Sequence, residues 1–186
     1  PKRIPRQGVS TGLPTQVTHR THVWTWDFIF DRTDKGSTLK MLTMLDEYTR
    51  QCLAIRVERQ IRSGQVLATL WQAMMQYGIP EHIRSDNGTE FIAGKIQRWL
   101  RVNQIKTLYI EPGSPWQNGY IESFHSRFRD ECLNREWLLN LREARVVIED
   151  WRQQYNTERP HSRLGYLSPE GFIANQKVSL QMDQNR

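Results

Sequence analysis

Apolar positions along the chain change their period several times, and each change marks an element. From 23 to 30 the run Val-Trp-Thr-Trp-Asp-Phe-Ile-Phe is apolar on both parities except at Thr25 and Asp27. That pattern predicts a strand covered on both faces. A turn cluster at 33–37 leads to a second strand at 39–45, and the polar break 46–50 leads to a third at 52–57. Three strands with short turns predict an antiparallel meander. Ser63 offers a helix N-cap, and Val66, Leu67, Leu70, Trp71, Met74 and Met75 then recur at helical spacing until Gly78 and Pro80 stop them. A short strand at 82–85 enters Asp86-Asn87-Gly88, a helix covers 90–102 and a fifth strand 107–110. The Gly/Pro-rich loop 111–115 opens a long helix from about 118 to 133, and Val147, Trp151 and Tyr155 lie on one face of a further helix. The order βββαβαβαα predicts an α/β domain: a five-stranded mixed sheet flanked by helices.

Composition adds bounds rather than an answer. The chain has 186 residues, 38% hydrophobic and 25% charged, which is the balance of one soluble globular domain. Residues 1–20, with three prolines and no period, read as a linker or arm; 21–175 form the core and 176–186 a tail. Lys and Arg outnumber Asp and Glu by 26 to 20, giving a net charge of +6 and a pI near 9.6. That surplus suits a polyanion without requiring one. No apolar run is long enough to cross a membrane, and the basic start Pro1–Arg6 has no apolar stretch behind it, so neither a membrane span nor a secretory signal is expected. Cys52 and Cys132 lack metal-site spacing and read as buried hydrophobes in a reducing cytoplasm. The missing initiator Met suggests a segment of a longer product.

Three carboxylates stand where carboxylates are costly or exposed to chemistry. Asp27 sits mid-strand among aromatic residues, where an unpaired charge is expensive to bury. A buried Arg partner, or an opening of the sheet to water, would also explain it. Asp86 ends a strand at a loop, although Asp-Asn-Gly is equally an ordinary turn. On a helix at 100° per residue, Ile121, Phe124, Phe128 and Cys132 form the core stripe. Glu122 and Arg129 fall roughly 80–100° from Ile121, at the border with solvent. A mixed sheet can bring these elements together. Hard divalent cations take such oxygen ligands, and two of them can serve an in-line phosphoryl displacement.

Asp27, the run Ser85-Asp86-Asn87-Gly88-Thr89-Glu90-Phe91 and the run 114–124 around Glu122 together resemble the integrase core of insertion-sequence transposases. The interval from Asp86 to Glu122 contains 35 residues, as in that family's Asp, Asp-35-Glu signature, and Arg129 matches the basic residue seven positions after the glutamate. The segment Tyr155-Asn156-Thr157-Glu158-Arg159-Pro160-His161 resembles the same group's C-terminal part. The most similar group is insertion-sequence family three (orfB type), which is similar in its core to retroviral integrases. The resemblance implies a ribonuclease H-like fold and DNA cleavage and strand transfer at element ends. It also implies Mg²⁺ or Mn²⁺, as two ions, held by Asp27, Asp86 and Glu122. DNA is then the partner, with self-association in a synaptic complex, in the bacterial cytoplasm on the nucleoid. The family's upstream helix-turn-helix elements have no room in this chain, so DNA contact here should be phosphate-driven and salt-sensitive.

Supporting residues carry two readings each. Trp116, Gln117 and Asn118 precede the Glu122 helix and can touch the scissile strand, or pack the loop and cap the helix. Arg129 can grip a phosphate or pair with Glu122 or Asp130. His125 can touch DNA or stand as a helix-border histidine, and Arg159 can bind phosphate or pin the last helix to the core. A nuclease of the same fold without strand joining, and an inactive DNA-binding remnant, are the competing functions.

Overall fold

The computed structural model describes residues 16–86, 88, 91, 93–110 and 118–184. The meander is present: β1 (Val23–Arg32), β2 (Thr38–Asp46) and β3 (Cys52–Glu58) pair antiparallel in sequence order. Helix α1 (Ser63–Tyr77) then carries the chain back to β4 (His82–Ser85), and α2 (Gly94–Val102) to β5 (Lys106–Tyr109). Both β4 and β5 run parallel to β1, so the sheet order is β3-β2-β1-β4-β5. Helix α3 (Gly119–Phe128) continues as a π-helical turn, Arg129–Leu133, and is followed by α4 (Leu141–Thr157) and α5 (Pro169–Gln184). The sequence pattern signals no helix at α5, which runs on past residue 176, where a tail was expected.

Each face of the sheet has its own apolar layer, as the double parity of β1 predicts. Trp24, Trp26, Leu42 and Met44 pack with α1 and α2 on one side. Ile29, Leu39, Met41 and Cys52 pack with α3 and α4 on the other. The predicted stripe of α3 is inside, with Ile121, Phe124, Phe128 and Cys132 all buried. Tyr155 of α4 meets Phe124 edge-on at 5.1 Å, and both cysteines are free and buried.

Three expectations shift. Ser63 is the first helical residue rather than the cap: Arg62 precedes it, and the Gln65 side chain accepts the Arg62 N–H at 2.9 Å. Trp71 and Met75 face solvent, and Thr69 and Ala73 take the inner positions instead. A residue set spaced i, i+4 is shared by two adjacent faces of a helix, and only packing chooses between them. The second helix starts at Gly94 rather than 90, with residues 90 and 92 outside the described set.

Polar bonds fasten the corners. Asn156 accepts from the Cys52 N–H at 2.8 Å and donates to the Cys52 carbonyl at 2.9 Å, occupying the open side of edge strand β3 as a neighbouring strand would. Arg84 of β4 donates to Glu47 at 2.7 Å, with both side chains almost fully enclosed. Burial pushes the Glu47 carboxyl up, and the Arg84 bond opposes that push. Removing one partner strands the other charge in the interior. We expect Arg84→Met to destabilise the fold by about 3–5 kcal/mol, measured by urea unfolding. The double change Arg84→Met with Glu47→Leu should recover much of the loss. A single variant as stable as wild type would show that the pair does not bind β4 to the meander.

Candidate active site

The site grows from the register of β1 and β4. Thr25 pairs with Arg84, and continuing the ladder two residues along both strands brings Asp27 level with Asp86. Asp27 leaves β1 on the face covered by α3, because its parity is that of Ile29 and opposite to that of Trp24 and Trp26. Glu122 lies exposed in the first turn of α3. The Asp27 carboxyl is pushed up to about 6. Burial is the main cause; the Phe28 N–H, which donates to Oδ1 at 2.7 Å, opposes it, and the charges of Asp86 and Glu122 raise it further. The charges of Asp86 and Glu122 thus reach Asp27. Their oxygens do not all close to within 4.8 Å of one another, so the group is coupled but open.

Asp86 is set by its own loop. Its Oδ1 accepts the Gly88 N–H at 3.0 Å. A Cβ at Gly88 would stand 2.9 Å from that same oxygen, so only glycine leaves the carboxylate in this orientation. Phe91 donates its N–H to the Gly88 carbonyl at 3.0 Å, and its ring stacks on Trp26 at 4.9 Å and on Phe28 at 4.8 Å. The turn and the candidate ligand are here the same residue.

His125 stands one turn beyond Glu122 and faces inward. Its Nε2 is 2.7 Å from the Thr43 hydroxyl, which in turn donates to the Asp27 carbonyl at 3.1 Å. Nδ1 lies 3.9 Å from Asp27 Oδ2. Burial, together with the charge of Arg129, lowers this imidazole to about 4, so it is neutral at pH 7. With the Thr43 proton given to Asp27, Nε2–H donates to Thr43, and the Nδ1 lone pair faces the carboxyl. The histidine is a wall of the site, held through Thr43. Nothing in the sequence flags Thr43, which looks like any β-strand threonine.

The remaining expected residues divide. Asn118 occupies the N-cap position of α3 but makes no capping bond, and its buried Oδ1 has no partner among the described residues. Trp116 and Gln117 lie outside the described residues. Arg129 is exposed and donates to the Phe30 carbonyl at 3.3 Å; among the described residues it forms no ion pair with Glu122 or Asp130. Arg159 is gripped by Glu131 through bonds of 2.6–3.0 Å, which pins the turn after α4 to the π-helical turn.

An all-carboxylate donor set matches a hard divalent cation. Among the described residues a second group able to hold an ion is His22, Glu81 and His82, with ligand atoms within 4.8 Å of one another. It sits at the start of β4, away from Asp86, and its imidazoles suit zinc better than magnesium.

Two family models, each described as an integrase core domain, match the chain, one over residues 17–115 and the other over 103–169. The chain belongs to the integrase core family. Among its relatives is the uncharacterized 39.2 kDa protein of insertion element IS476 from Xanthomonas euvesicatoria. It is 44% identical over 83% of this chain and 45% of its own length. The uncharacterized 31.7 kDa protein of IS407 from Burkholderia multivorans is 41% identical over 96% of this chain and 65% of its own length. Transposase InsF of IS3fB from Escherichia coli is 25% identical over 80% and 52%. The chain thus spans about half to two thirds of the length of these relatives. Its fold is that of retroviral integrase catalytic cores, the ribonuclease H-like fold. The core of BIV integrase superposes with a TM-score of 0.64 at 19% identity, covering 86% of this chain and 99% of that one. The magnesium-complexed HTLV-2 integrase core gives 0.56 at 17%, covering 82% and 94%.

The coupled carboxylates make a testable cost. Between pH 3.8 and about 6 the folded chain retains a proton on Asp27 that the unfolded chain has released. Its stability therefore falls as pH rises through that window. Without metal, Asp27→Asn should be more stable than wild type at pH 8 by on the order of 2 kcal/mol. The two should converge below pH 3.8. Thermal melts in chelator at both pH values measure this. Equal melting points at pH 8 would show that Asp27 bears no such charge cost.

Proposed function

We propose that this chain is the catalytic core of an insertion-sequence transposase, which cleaves DNA at element ends and joins the freed 3′-hydroxyl to another phosphodiester. The observation that supports the reading is the electrostatic coupling of Asp27, Asp86 and Glu122 at the end of two parallel strands in an integrase core. Carboxylates set this near one another can share a cation, which relieves their repulsion. Asp27, Asp86 and Glu122 hold Mg²⁺ or Mn²⁺ in this reading, and two ions would fit their number. When bound, such ions supply activation of the attacking oxygen and stabilisation of the leaving one.

The chain's own side chains set the geometry. Phe28 N–H fixes one oxygen of Asp27, and the neutral His125 keeps a second positive charge out of the site. Gly88 fixes Asp86 from behind. Glu122, on a helix whose other face is locked in the core, is the ligand with room to swing inward. Arg129 offers guanidinium donors to a phosphate near Phe30. Trp116, Gln117 and Asn118 are assigned to the scissile strand, and the chain is assigned to work as a multimer on DNA in the cytoplasm.

Strand transfer on labelled element-end DNA with Mn²⁺ tests the reading. Asp86→Asn and Glu122→Gln should each lower the rate by about a thousandfold or more, equivalent to roughly 4 kcal/mol of lost transition-state stabilisation. Full activity in both variants, or activity in chelator, would remove the metal assignment. Cleavage without joined product would replace the transposase by a nuclease.

A further inference from the structure

A cleft of about 650 Å³ opens on the far side of α3 from the carboxylates. Tyr120, Ser123 and Arg127 line it. At 100° per residue these three point roughly opposite to Glu122, His125 and Arg129. The other walls are the β2–β3 turn, with Arg50, and the segment after α4, with Arg159, His161, Arg163 and Tyr166.

Its charge balance is lopsided. The two acidic residues in the wall are already consumed: Asp46 accepts five hydrogen bonds, from Thr21, Trp24, Tyr48 and Thr49, and Glu47 is enclosed with Arg84. Arg159 is neutralised by Glu131. Among the described residues Arg50, Arg127 and Arg163 form no ion pair. The Arg50 guanidinium lies 3.9 Å from the Tyr120 ring centre, and its Nε is buried with no hydrogen-bond partner. His161 is 6% exposed, and its Nε2 is likewise buried and unpartnered. Both are polar atoms whose desolvation no described residue offsets. The charges of Arg159, Arg127 and Arg50 all act on His161, lowering it beyond what burial alone does, which registers the positive field inside the cleft.

The backbone is also strained here. Among the described residues four non-glycines adopt positive φ, and two of them line this cleft: Arg50 at 62° and Tyr166 at 62°. A left-handed arginine or tyrosine is costly, and such residues persist where side-chain direction matters. Tyr166 emerges 76% exposed at the rim.

We infer that this cleft binds the phosphodiester backbone of a DNA strand that also reaches the carboxylates. Unpaired guanidiniums seat the phosphates, and Tyr166 stacks on a base or sugar. The choice of DNA as the polyanion rests on the proposed function. The helix between the two sites is about 10 Å thick. A phosphate in the cleft therefore lies only a few nucleotides along the strand from the reacting one. Arginine and tyrosine interleaved across a cleft this size fit a nucleic-acid strand better than a lone anion.

Fluorescence anisotropy of labelled single-stranded and duplex DNA, in chelator and across a salt series, tests this without catalysis. The cleft pair Arg127→Gln with Arg163→Gln is compared with Arg98→Gln and Arg101→Gln, exposed on α2 and equal in charge removed. Circular dichroism confirms the fold of each. The cleft pair should weaken binding about tenfold and reduce the slope of log affinity against log salt by about 1–2, while the α2 pair changes little. Tyr166→Ala should weaken single-strand binding about fivefold or more. Wild-type affinity in the cleft pair, or an equal loss in the α2 pair, overturns the cleft. So does inorganic phosphate that displaces DNA at constant ionic strength, which would make it a small-anion site. A chain that binds through the cleft yet neither cuts nor joins would overturn the transposase reading and leave the cleft standing.

Discussion

The pairing of β1 with β4 is the constraint on which the rest of the molecule depends. β1 is bonded antiparallel on one edge and parallel on the other, and both its faces are covered. No other strand has all of these neighbours. Parallel pairing in a register that joins Thr25 to Arg84 leaves Asp86 at the strand end, level with Asp27. A slip of one residue would turn the Trp24 and Trp26 face over to the side of α3, and the core would not form. The geometry of the candidate site is thus fixed by the same bulky residues that fix the fold.

That arrangement sets two carboxylates and then a third against one another in a half-dry place. The polar side chains beside this place are held by hydrogen bonds of their own. His125 is kept uncharged, and the hydroxyl of Thr43 absorbs its remaining donor. Asp46 and Glu47, a few residues along β2 and its turn, are each satisfied by donors that cannot leave. Among the described residues no ion pair joins Asp27, Asp86 or Glu122 to a lysine or arginine. The charges of Asp86 and Glu122 add to the burial that raises Asp27.

Much of this was legible in the chain because it follows from local periodicity. The double-parity run of β1, the turn clusters of the meander and the buried stripe of α3 are all statements about which residues share a face. What escaped is what periodicity does not encode. Trp71 and Met75 share helical spacing with Leu70 and Met74, but packing turned them outward. The roles of Thr43, Gly88 and Asn156 depend on partners 16 to 104 residues away, or on one close approach that no spacing announces. Arg159 read as a phosphate ligand or an anchor, and its pairing with Glu131 was a matter of how the π-helical turn faces α4. The three carboxylates were visible as a set only because their order and spacing are distinctive; Asp86 alone is a turn residue, and in the structure it is still one.

Helix α3 is where these strands of argument meet. One stripe, through Ile121, Phe124 and Phe128, is sunk in the core and holds the helix still. The two flanks of that stripe then become walls of two different polar spaces, carboxylates on one side and guanidiniums on the other. A helix with a wider apolar face could not do this, because the border positions would be buried. The π-helical turn that follows widens the helix at Arg129–Leu133, and Glu131 within it anchors the basic segment after α4. The negative and positive sites are therefore rigidly spaced by one short element. A polyanion spanning both would meet cations on one side of α3, with the carboxylates and any ions they hold on the other. That is a physical reason for phosphate grip and phosphate chemistry to share a helix.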